Sequence, residues 1–133
     1  MRVTIFALMI TIALLSSQPA VAHHSFAGTY DAAKEITIKG KIVEVSLRSP
    51  HSFFFVDAED ASGKPQRWAI EGASASQFAQ QGVTRDALKV GDPVEVIGNP
   101  ARSMTMGFRA RLLKITRTTD GWSWGTRPGE QVQ

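Results

Sequence analysis

The chain has 133 residues, one domain's worth of polypeptide, and no cysteine, which excludes a disulfide framework and lipid attachment through a thiol. Its 15 lysines and arginines stand against 12 acids, a formal charge of +3 that is too slight to signal a nucleic-acid partner.

Arg2 opens a short basic stretch, and Val3 to Leu15 is apolar apart from Thr4 and Thr11. That run suits the apolar region of a signal peptide and is short for a bilayer span. Ser16 to Ala22 is small and polar and ends in Ala20-Val21-Ala22, an A-x-A cleavage pattern. Residues 1–22 are therefore expected to be a cleaved signal peptide, with a retained anchor or buried helix as the alternative. Removing 22 of 133 residues leaves 111, enough for a modest core, with 14 bases and 12 acids once Arg2 is gone. The expected product is soluble, periplasmic or secreted, makes no membrane contact after cleavage, and has no nucleic acid among its partners.

His23 to Lys34 reads as irregular. From Glu35, "EITIKGKIVEVSL" alternates with period two, first on Ile36, Ile38 and Ile42, then on Val43, Val45 and Leu47. The phase slips between Gly40 and Val43, as one extra residue in a strand would make it do, and the strand should bend there. Phe53 to Val56 form a second strand, followed by turn residues, and "RWAIEG" a third with Trp68 and Ile70 on one face. Ser74 or Ser76 can cap a short helix that buries Phe78 and stops at Gly82. Val94 and Val96 share one side of a fourth strand, with Pro93 at its start or on an edge. "GFRARLLKITRT" is a fifth strand, and "DGWSWG" a turn with a short terminal strand. Residues 23–126 then form the domain and 127–133 a loose tail. Five strands with a helix between the third and fourth is the layout of an OB-fold, a small five-stranded barrel, so the fold class is all-β with one short helix. A small β-sandwich is the alternative.

Several motifs together resemble a bacterial family of small exported (periplasmic) proteins of unknown function. They are "AHHSF" at Ala22 to Phe26, Tyr30-Asp31, "ITIKGKIVEV", "SPH" at Ser49 to His51, "WAIE" at Trp68 to Glu71, "LKVGDPVEVIG" from Leu88, and a late Asp120-Gly121. Ser49 stands where asparagine is usual in that pattern. The resemblance implies export and a fold, and no activity.

His23, His24 and His51 are all the histidines present. Neutral imidazole is the commonest protein ligand for zinc and copper. Cleavage after Ala22 would give His23 a free amine, so that amine and ring of one residue chelate together, with His51 as a third donor. That arrangement resembles the histidine brace of copper oxygenases and some exported copper carriers. His24 offers a different copper(II) chelate through the amine and a backbone nitrogen. The alternative is a merely polar terminus and a turn in which His51 bonds to backbone. Met104 and Met106, read as i, i+2 on a strand, are candidate copper(I) ligands; two adaptable apolar residues at a loop or strand edge are the alternative.

The aromatic and basic candidates for a ligand-binding barrel face are Phe54, Trp68, Arg109 and Arg111, with Phe53 and Phe55 on the face opposite Phe54. A core role for the aromatics and a solvated strand face for the arginines are the alternatives. Glu71 reads as a lone carboxylate, and no catalytic motif is present. The expected function is an exported small binding module holding copper or zinc. The alternative is an envelope module that binds a small ligand or a protein partner without metal.

Overall fold

The computed structural model describes residues 26–126. The expected signal peptide, His23, His24 and the C-terminal tail lie outside the described residues. The elements are a helical turn α1 (Phe26–Thr29), strands β1 (Ile36–Ser46), β2 (Phe53–Glu59) and β3 (Pro65–Glu71), helix α2 (Ala75–Gln80), β4 (Pro93–Pro100), a 3-10 turn (Met104–Met106), β5 (Arg109–Arg117) and β6 (Ser123–Gly125).

The first strand does what its broken alternation predicts. Its pairing with β2 slips between Ile42 and Glu44, so Val43 is an extra residue and the strand bends. Its first half pairs with β4 and its second half with β2. Gly40 lies at the crossing, where a Cβ would run into the carbonyl oxygen of Asp57, so only glycine fits that approach. The hydrogen-bonded order is β3-β2-β1-β4-β5-β6, and a short parallel pairing of β3 with β5 closes the ring. One sheet closed on itself, with the helix between the third and fourth strands, is an OB-fold; the small β-sandwich does not hold.

Alternation fills the barrel. Ile38, Ile42, Phe54, Val56, Ile70, Val94, Val96, Ala110, Leu112 and Ile115 form one buried cluster. Helix α2 covers one end of it. Ser74 caps the helix with a reciprocal Ser74–Gln77 box, and Gly82, at positive φ, follows its end. Phe78 is fully buried against Phe54 and Trp124, both edge-on at 5.6 and 4.7 Å between ring centroids. Among the described residues no helix is long and apolar enough to cross a membrane.

The segment before β1 is more ordered than its composition suggests. It is strapped along the end of β4 by backbone bonds from Asp31 to Pro100 (2.9 Å) and from Arg102 to Thr29 (3.0 Å), and by an isolated bridge from Tyr30 to Ala101. Two side chains add to this: Arg102 Nε donates to the Ala27 carbonyl (2.8 Å) and Asn99 Nδ2 to that of Lys34 (2.8 Å).

Candidate functional site

The strap lays Phe26 and Tyr30 across the outer face of β3 and β5. That face is set by register: Phe53 opposes Glu71 on β2 and β3, and Glu71 opposes Arg111 on β3 and β5. Tyr30 is 1% exposed and Glu71 8%. The Tyr30 hydroxyl donates to Oε2 of Glu71, Arg109 Nη2 donates to the same oxygen at 2.5 Å, and Arg109 Nε donates to the Tyr30 hydroxyl at 2.7 Å. The carboxylate is thus held from two sides, and the Arg109 charge compensates it. Burial is the main cause that pushes the Tyr30 phenol well above its ordinary range, with the neighbouring Glu71 adding to it.

The other carboxylate oxygen, Oε1, faces His51 at 3.6 Å from Nδ1. Residues 48–52 form a turn fixed by Ser52, which is fully buried, bonds Arg48 through its hydroxyl and bonds Gly72 and Ala73 through its backbone. His51 is therefore delivered to Glu71 by a rigid turn. Its Nδ1 is buried and has no hydrogen-bond partner among the described residues, so the expectation that His51 bonds to backbone is not met by that nitrogen. The Phe26 ring packs edge-on against the imidazole at 5.2 Å. Beside them is a cavity of about 230 Å³ walled by Phe26, His51, Glu71, Arg111, Leu112 and Trp124.

The sequence-predicted residues divide. His51 lies in this site. No group of three His, Asp or Glu that could hold a metal gathers among the described residues, and His23 and His24 lie outside them. Met104 and Met106 occupy a 3-10 turn. The strand alternation that would place both on one face does not apply there, since such a turn has three residues to the round.

The proposed ligand face also needs correction, because its four residues do not share a face. Phe54 is 1% exposed and belongs to the core, and Trp68 points to the same side, packed on the core and on the Phe108 ring at 5.3 Å. Arg109 and Arg111 point outward. The aromatics on their side are Phe53 and Phe55, half-buried and stacked at 6.2 Å, with Arg109 over Phe53 at 5.1 Å. Glu71 is not a lone carboxylate but the centre of the site. Phe26, Tyr30, His51 and Glu71 come from four of the short motifs quoted above, but only the fold gathers them.

Comparison with known proteins fits this architecture. Residues 12–109 match a family of unknown function (DUF6152), and the chain belongs to that family. No curated protein matches it. Among solved structures, two crystal structures of the S. cerevisiae mitochondrial single-stranded DNA binding protein Rim1, one of them selenomethionine-labelled, are similar to it. One is 14% identical over 66% of this chain and 96% of the other, with a TM-score of 0.49. The second is 12% identical over 67% and 97%, with a TM-score of 0.47. The expectation of no nucleic acid among the partners is corrected to this extent: both of these similar structures are of a single-stranded DNA binding protein.

Proposed function

We propose that this member of the family is an exported module that binds one copper(II) or zinc ion where its mature N-terminus meets His51. Cleavage after Ala22 makes His23 the first residue, and its amine joins either its own imidazole or the backbone nitrogen and imidazole of His24 in a chelate. Three residues of extended chain reach about 10 Å. His23 is therefore tethered within that distance of Phe26, whose ring touches His51. The observation that carries the reading is the Nδ1 of His51, buried without a partner and 3.6 Å from a carboxylate oxygen. Two ligands at about 2.1 Å from a tetrahedral ion stand roughly 3.4 Å apart, so this pair is spaced as two corners of one site. Nitrogen and oxygen donors suit copper(II) or zinc over copper(I).

The test is calorimetry on protein processed during export and on a form carrying one extra N-terminal alanine. The processed protein should bind one ion per chain, more than about tenfold tighter than the extended form, and His51→Ala should weaken it likewise. Equal affinities, or a processed terminus other than His23, would overturn the terminal-amine site. A second reading is favoured by the stacked Phe53–Phe55 pair beside Arg109: a metal-free module that docks a small ligand or an envelope protein on that face.

A further inference from the structure

We infer that the cavity between the strap and β5 is a binding site for a small organic monocarboxylate, one whose acid group meets Arg111 and whose apolar body fills the space between Phe26, Leu112 and Trp124. Four observations lead there, and none involves the metal.

The first is charge. Two arginines and one carboxylate face this part of β3 and β5. Arg109 is spent on Glu71, at 2.5 Å, and on Tyr30. Arg111 has no carboxylate partner among the described residues, so the site carries one uncompensated positive charge. The second is orientation. The Arg111 guanidinium lies over the Phe26 ring, 4.4 Å from its centroid. A contact with the ring's π-face uses none of the guanidinium's N–H donors in a conventional hydrogen bond, and a guanidinium with donors to spare can pair with a planar acid group in bidentate fashion.

The third is room. About 230 Å³ is the liquid volume of roughly seven or eight waters, which suits a ligand of benzoate size. The fourth is the chemistry of the walls. Phe26, Leu112 and Trp124 are apolar, and Trp124 is fixed in place by its indole N–H to Gln81 (2.6 Å) and its contact with Phe78. Gln77 lines the cavity too. Its side-chain oxygen is occupied by the Ser74 cap, which leaves its amide nitrogen as a donor. Glu71 and His51 line it as well, and the Glu71 charge is compensated by Arg109. A site with one free cation, one amide donor and an apolar side formed by Phe26, Leu112 and Trp124 selects an anion with a hydrophobic body over a bare inorganic one.

Benzoate is the probe, with benzamide as its neutral counterpart and sulfate as an anion without a body. Chelator-treated full-length processed protein should bind benzoate at about millimolar or tighter, with quenching of tryptophan emission that is lost in Trp124→Phe. Benzamide and sulfate should each bind at least about tenfold more weakly. Arg111→Met keeps the stem that packs on Phe26 and should lose benzoate by about tenfold or more, Arg111→Lys should lie between, and Arg67→Met, a surface arginine outside the cavity, should match the parent. Circular dichroism checks that each variant is folded. No benzoate binding, equal binding of benzamide or sulfate, or undiminished binding by a folded Arg111→Met would each overturn the inference. Because the protein is metal-free throughout, failure here leaves the metal reading untouched, and the reverse also holds.

Discussion

Two short helical pieces cover the barrel, and they are held by opposite means. Helix α2 is seated by an aromatic ring: Phe78 is fully buried between Phe54 and Trp124, and its polar contacts are local capping bonds and one backbone bond from Ala75 to Arg48. The strap that begins with α1 buries no residue of its own helix, and Tyr30, the residue after it, is anchored by a hydroxyl shared with Glu71 and Arg109. The first is a hydrophobic seal, insensitive to which neighbour supplies the apolar surface. The second is a polar lock that only one partner set satisfies. A seal suits a structural cover; a lock suits a place where ligand chemistry is done, since it holds charged groups at fixed separations.

Breaking the seal should cost most. Phe78→Ala removes a fully buried ring from a closed barrel and should destabilise the domain by about 3–5 kcal/mol, read from denaturant unfolding. Breaking the lock should cost less: Tyr30→Phe leaves Glu71 short of one hydrogen bond while Arg109 still compensates its charge, a loss of about 1–3 kcal/mol. If Tyr30→Phe proved the more damaging, the lock would be the principal support of the fold. Ser74→Ala, which removes the α2 cap, should cost about 1 kcal/mol.

The smallest perturbation is titration. Tyr30 is the only tyrosine in the chain, so phenolate absorbance reports it alone. Its phenol ionises well above the ordinary value near 10 in the folded state. A raised value means the neutral phenol is favoured by folding, so this stabilisation is complete below about pH 10 and is lost as pH rises further. The native protein should therefore show no phenolate step near pH 10, with absorbance appearing only at higher pH or on alkaline unfolding. A normal step at pH 10 would mean that Tyr30 is not locked.

The seal was legible in the sequence and the lock was not, for a physical reason. Capping and burial of α2 depend on residues within one turn, and the bend in β1 shows as a one-residue slip in its alternation. Both are local signals. Tyr30 and Glu71 are 41 residues apart, and Tyr30 and Arg109 are 79 apart, so their meeting depends on barrel closure, above all on the parallel pairing of β3 with β5. The same gap misassigned the ligand face. Alternation separates Phe54 from Phe53 and Phe55, but in a run of three phenylalanines it does not say which side is inside. That is decided by pairing with Ile70 and Ala110, whose small and branched side chains line the interior. His51 was legible as a donor, while the turn that carries it to Glu71 is set by Ser52, which nothing marks in the sequence as more than a loop residue.

The cavity takes its walls from both extremities of the described chain, Phe26 at one and Trp124 at the other. A pocket assembled that way exists only after the last strand has docked, so its occupancy reports completion of the whole barrel. Trimming a few residues from either side would unmake the receptor while leaving most of the interior intact, which couples recognition to the integrity of the ends.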